Sequence, residues 1–215
     1  MKISIKSQIL LRIKQGKNGW AFSAADFAGD FSRREIDESF SALAAEGVIR
    51  RVMRGIYDVP RYSSLLRRET APSMSQVAKA LARKFKWNIY PDGNTSLNYL
   101  GLSTQMVAKH IYLSDGPSRK YRIGGVVIEF KHRAAKELSL NGNRNAVLLV
   151  HAIRAMGAAH MNESFIQTLS TKFSAEEWLG IYHDANTSAA WIHDVIAKAY
   201  QMKEREYETN CTGIQ

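Results

Sequence analysis

The apolar positions change period twice between residues 22 and 60. Ile36, Phe40 and Leu43 recur at helical spacing behind Ser32 and Glu35, which have the order of a capping box, and Gly47 stands where such a helix would stop. A short helix over 24–29 is expected just before it. After Gly47 the spacing shortens, and 48–52 and 56–59 read as two strands around a turn at Met53-Arg54-Gly55. Upstream, Ile3, Ile5, Ile9, Leu10 and Ile13 are interrupted by Lys6, Arg12 and Lys14, a pattern that suits a first amphipathic helix better than a signal peptide. Helices followed by a two-stranded hairpin give the order of a winged helix-turn-helix.

Pro60 and Pro72 bracket a polar, basic stretch, 61–70, expected as a linker. It either lies along a polyanion through Arg61, Arg67 and Arg68 or is simply solvated. Val77, Leu81 and Phe85 predict a helix over 74–85, with Lys79, Arg83 and Lys84 elsewhere on its surface. A strand over 87–91, a turn at Asp92-Gly93-Asn94 and a short helix capped by Thr95 follow. Residues 110–113 read as a strand and Asp115-Gly116-Pro117 as a turn. Segments 121–123 and 126–132, parted by Gly124-Gly125, carry a hairpin signal. From Asn145 onward the pattern is helical: 146–156, 163–171, a capping box at Ser174 and Glu177 leading to Tyr182, and a last helix from about Ser188. The expected fold class is α+β. The expected domains are a winged helix-turn-helix with linker over 1–72, an α+β domain with C-terminal helices over 73–208, and a frayed tail over 209–215.

Charge sharpens this division. The chain of 215 residues carries a net +10, distributed as +5 over 1–72, +7 over 73–140 and −2 over 141–215. The basic excess lies wholly in the first two blocks, which suits nucleic acid as partner; the last block suits a protein partner or a second copy of the chain. A homodimer contact through Trp191, Ile192 and Val195 is the alternative to a last helix that only covers a core. A single cysteine, Cys211, allows no intrachain disulfide and fits a reducing cytoplasm, the expected location. No apolar run approaches a membrane span, so no membrane partner is expected.

With Ile36, Phe40 and Leu43 turned inward, Arg33, Arg34, Asp37, Glu38 and Ser41 face out. The N-terminal residues of a second helix in a helix-turn-helix reach base edges in the major groove, and arginine pairs bidentately with guanine there. The candidate DNA-binding set is therefore Ser32, Arg33, Arg34, Asp37 and Ser41 on the helix, with Arg50, Arg51 and Arg54 on the hairpin. The bland alternative is a small helical core with a solvated basic hairpin. No cofactor or metal is expected: His110, His132, His151, His160, His183 and His193 lack metal-ligand spacing, Gly124-Gly125 lacks the lysine of a phosphate loop, and no nucleophile elbow occurs.

Further on, Asn94-Thr95-Ser96-Leu97-Asn98-Tyr99-Leu100-Gly101-Leu102-Ser103-Thr104-Gln105 is followed by Tyr112-Leu113-Ser114-Asp115-Gly116, Arg122-Ile123-Gly124 and Phe130-Lys131-His132. With Glu46-Gly47-Val48-Ile49-Arg50 and Arg54-Gly55-Ile56-Tyr57 upstream, these residues resemble the AbiEi-like antitoxins of type IV toxin–antitoxin and abortive-infection systems, over roughly residues 5–160. The resemblance implies a winged helix that binds the protein's own operator and represses its operon. It also implies a C-terminal region that counters a nucleotidyltransferase-like toxin, by direct contact or otherwise. It carries no catalytic residue over, so no enzyme is expected. A stand-alone winged-helix regulator is the chief rival. A metal-dependent nuclease using Asp92, Glu129 and Lys131 is the enzymatic alternative, since Glu129 and Lys131 share a strand face. Against it, Glu129, Lys131 and Arg133 also read as the wet face of a hairpin whose Ile128 and Phe130 point inward.

Overall fold

A computed structural model describes residues 3–16, 19–65, 67–103, 109–134 and 142–212. Thr104 and Gln105 of the antitoxin-like motif, and the last residues of the expected tail, lie outside these. The fold is α+β. It divides into two compact units, Met1–Asn88 with Tyr121–Ile128 and Ile89–Lys120 with Glu129–Gln215. The break expected at residue 72 falls inside the first unit.

The first unit opens with α1 (Ile5–Gln15), capped by Ser4, whose hydroxyl accepts from the Ser7 amide at 3.2 Å. Strand β1 (Ala21–Phe22) follows. The helix expected over 24–29 is instead one 3₁₀ turn, Ala24–Asp26. Ser23 and Asp26 close a capping box at its start, and Phe27, at φ −121°, leaves helical geometry and enters the core. Helix α2 (Arg33–Ala45), β2 (Arg50–Met53) and β3 (Ile56–Asp58) come next, and the three strands form an antiparallel sheet in the order β1-β3-β2. The hairpin turn is thus Arg54-Gly55, with Gly55 at φ +75°, and a bulge sits between Arg51 and Met53. The core holds Ile9, Ile13, Phe22, Phe27, Ile36, Phe40, Leu43 and Ile49. Phe22 and Phe27 both meet the Phe40 ring edge-on at 5.4 Å.

The basic linker contains a two-stranded pairing, β4 (Tyr62–Ser63) with β5 (Arg68–Glu69). Beyond it, α3 (Met74–Phe85) buries Val77, Ala78 and Leu81 and ends on Lys86 in the left-handed region, φ +58°. Arg83 fixes α3 to the first unit: its guanidinium pairs with Asp26, donates to the Ala21 carbonyl at 2.8 Å and lies over the Trp20 ring.

The second unit begins at β6 (Ile89–Pro91) and α4 (Gly93–Tyr99). Asp92-Gly93-Asn94 is therefore no free turn. Asp92, rather than Thr95, caps α4, and the Thr95 hydroxyl is buried, accepting from the Ile111 amide at 2.9 Å. The glycine is required by packing: a Cβ on Gly93 would stand 2.5 Å from the Ala155 Cβ and 3.2 Å from the His151 carbonyl. Strands β7 (Lys109–Ser114), β8 (Arg119–Ile123) and β9 (Val126–His132) complete a four-stranded sheet in the order β6-β7-β9-β8. Helices α5 (Arg144–Met156), α6 (Glu163–Ser170), α7 (Ala175–Asp184) and α8 (Ala190–Thr212) follow. Their core gathers Leu149, Ile153, Leu169, Trp178, Ile181, Ile192 and Ile196, and the Trp178 indole donates to the Ser170 carbonyl at 2.9 Å. The last helix thus covers a core with Ile192 and Ile196, and it runs on through Thr212, past the expected point of fraying. Among the described residues no helix is long and apolar enough to cross a membrane.

Candidate nucleic-acid interface

The N-terminus of α2 is built by its own sequence. The Ser32 hydroxyl accepts from the Glu35 amide at 3.4 Å, and the Glu35 carboxylate accepts from the Ser32 amide at 2.8 Å. Bonds from the Ser32 side chain and backbone hold the Glu35 carboxyl below its ordinary pKa. With Ile36, Ser39, Phe40 and Leu43 buried, the opposite face presents Arg33, Arg34, Asp37, Glu38 and Ser41 to solvent. Arg33 donates to Asp37 and Arg34 to Glu38, each through Nε at 2.7 Å and one helical turn apart. The bond to Glu38 raises the Arg34 pKa. Exposed pairs of this spacing are worth about 0.3–0.5 kcal/mol, so both guanidiniums can be redirected at little cost.

The three hairpin arginines part company. Arg51 and Arg54 are exposed, as the sequence suggested. Arg50 is not available to a ligand in the same way. The register sets it opposite Asp58, and its guanidinium grips that carboxylate through Nε at 3.0 Å and Nη2 at 2.7 Å. A third bond runs to the Thr70 carbonyl at 3.1 Å, with Glu69 at 3.5 Å. The Asp58 side chain is 4% exposed, so a buried carboxylate needs this partner, and the pairing raises the Arg50 pKa. Arg61, Arg67 and Arg68 are exposed.

A groove of about 490 Å³ opens beside the first turn of α2, between Phe31, Arg33, Ile36, Tyr57 and Phe85, with Gly55 and Lys84 at its edge. Lys84 is the residue that sequence reading left on the surface of α3 without a role. Its ammonium reaches across to the hairpin tip, 3.5 Å from the Arg54 carbonyl and so close to Gly55 that a Cβ there would stand 2.8 Å from it. Burial first, then the charges of Arg33 and Arg54, push its pKa down. Helical periodicity could place Lys84 on α3; only the packing of α3 places it at the hairpin.

The residues of the nuclease alternative have other duties in the second unit. Asp92 accepts from the Gly93 amide at 2.8 Å as a helix cap. Ile128 and Phe130 are buried as the hairpin reading expected, but Glu129 is buried too, not on a wet face, and is gripped by Lys109 and, at 3.5 Å, by Lys120. The bond from Lys109 lowers the Glu129 pKa against the opposing effect of burial. Lys131 is half-buried. Among the described residues no three histidine, cysteine, aspartate or glutamate side chains cluster as metal ligands would.

Residues 8–178 match the model of a family described as "Family of unknown function (DUF6088)", well over half of the chain. No curated protein and no solved structure matches it.

Proposed function

We propose that this chain, which belongs to the DUF6088 family, is a DNA-binding regulator whose first unit is a winged helix-turn-helix, with α2 as recognition helix and the β2–β3 hairpin as wing. The observation that carries the reading is the outward face of α2. Its first turn holds two arginines clear of the core, tied by weak pairs along their own helix, and the hairpin bears two more exposed arginines, Arg51 in β2 and Arg54 at the turn. Arg33 and Arg34 read base edges, while Ser32 and Ser41 add hydrogen-bonding hydroxyls and Arg51 and Arg54 hold the backbone. Asp37 steers Arg33. The second unit is the antitoxin arm, a role that rests on the likeness of residues 94–103, 112–116 and 122–132 to AbiEi-like antitoxins. Its partner is a nucleotidyltransferase-like toxin encoded alongside, and the DNA is the operator of that pair.

Fluorescence anisotropy of the full chain with labelled duplexes tests the DNA claim. Tighter binding to its own upstream region than to random DNA at physiological salt is expected; equal affinity overturns the operator assignment. Growth of cells co-expressing the full chain and the neighbouring toxin tests the second claim. Specific DNA binding without rescue would leave a stand-alone regulator.

A further inference from the structure

We infer that Lys84, together with Arg54, forms a seat for one backbone phosphate of the duplex beside the base-reading Arg33. The inference rests on the DNA-binding reading above and adds to it a residue from α3, an element outside the helix-turn-helix and the wing.

Three cations from three elements converge here. Arg33, from the first turn of α2, and Lys84, from the last turn of α3, line one groove, and Arg54, at the tip of the hairpin, offers its carbonyl to Lys84. The charges of Arg33 and Arg54 both act unfavourably on Lys84. Its ammonium donates a weak hydrogen bond to the Arg54 carbonyl and lies near the neighbouring Phe85 ring. Among the described residues the carboxylate bonded to this trio is Asp37, held by Arg33. A half-buried ammonium facing two guanidiniums is short of negative charge, and an anion between them relieves the repulsion of all three.

The shape selects the kind of anion. The groove lined by Arg33 and Lys84 is open, and half-buried Phe31, Tyr57 and Phe85 line it too, with buried Ile36. A deoxyribose packs against such a wall while its phosphate meets the charges above. The seat also joins the base-reading turn of α2 to the wing tip, two parts that a single DNA strand must pass. Contacts to phosphate set register and carry no base information, so Lys84 contributes equally to all sequences.

The test measures Kd against salt concentration for the full chain with its upstream duplex and with a random duplex, in wild type, Lys84→Gln, Lys84→Arg and Lys198→Gln. Lys198 is an exposed lysine of α8 and controls for net charge. Loss of one phosphate contact lowers the slope of log K on log salt by about 0.9, which is about a five-fold loss of affinity at 0.15 M. Lys84→Gln should show that loss on both duplexes, Lys84→Arg should keep the wild-type slope, and Lys198→Gln should match wild type. All variants should unfold at the wild-type temperature. Wild type that binds neither duplex removes the DNA reading and this seat with it. Wild type that binds while Lys84→Gln behaves like Lys198→Gln removes the seat alone. A parallel titration with inorganic phosphate separates the remaining source: Lys84-dependent phosphate binding with an unchanged DNA slope assigns the site to a free anion and overturns the backbone contact.

Discussion

Arg50→Ala separates a structural arginine from a DNA-contacting one. The substitution removes two bonds to Asp58, of 3.0 and 2.7 Å, and the bond to the Thr70 carbonyl. It leaves a carboxylate that is 4% exposed without its counter-ion. Stripping one partner from a fully buried pair costs about 3–5 kcal/mol; the Arg50 side chain is itself 28% exposed, so water screens part of this and about 2–3 kcal/mol remains. For a unit of this size that is a drop of about 10–20 °C in the melting temperature of the first unit. Arg50→Lys should recover only part, because an ammonium cannot form the two parallel bonds. Arg50→Met combined with Asp58→Leu should recover most, because neither charge is then buried alone. Thermal unfolding followed by circular dichroism gives the stability, and DNA titrations well below the transition give the salt slope. The slope should stay at the wild-type value. An Arg50→Ala variant that melts with wild type but shows a slope shallower by about 0.9 would make Arg50 a phosphate ligand and refute the clamp.

Gly93→Ala should destabilise the second unit by about 1–3 kcal/mol through the clash with Ala155, and Ala155→Gly should restore much of it in a double-mutant cycle. Ser32→Ala removes the α2 cap and should cost about 1 kcal/mol in urea unfolding. Arg33→Ala or Arg34→Ala should lose about 1–3 kcal/mol on the upstream duplex and relax preference at one position, whereas Arg51→Ala should weaken binding to every sequence alike. Glu129 has a folded pKa below its ordinary value, so its contribution to stability is complete above that value and fades as pH falls through the folded one. Glu129→Gln should therefore be less stable than wild type at pH 7, with the gap closing below about pH 4 in urea titrations; a gap independent of pH would mean the lysine pairing contributes nothing.

Local signals carried the reading of α2: its cap, its buried stripe and its outward arginines all lie within one helix and were legible. The same holds for the capping box of α7. What failed was decided at long range. Asp92-Gly93 has the local chemistry of a turn, yet the glycine answers to Ala155, which lies more than sixty residues away. Arg50 and Arg51 are neighbours with the same side chain, and only strand register sends one to Asp58 and leaves the other in water. Lys84 gained its setting because α3 packs on the first unit, a contact that Pro72 and the charge blocks obscured. The helix expected over 24–29 stopped at three residues, where Phe27 leaves helical geometry to enter the aromatic core.

If α2 is the recognition helix proposed above, its two ion pairs would also make that turn selective. Asp37 and Glu38 act as tethered decoy anions, already occupying the guanidiniums that a duplex would claim. A DNA acceptor that takes the Nε–H of Arg33 or Arg34 would displace a resident carboxylate, so that gain would be an exchange rather than a fresh attraction. Those two carboxylates also repel phosphates that approach without offering a well-placed acceptor. Random sequence, with only loose contacts to give in return, profits least from the exchange, while a site that presents two acceptors in the plane of a guanidinium profits most. The acidic residues beside the arginines thus widen the difference between right and wrong DNA by weakening the wrong.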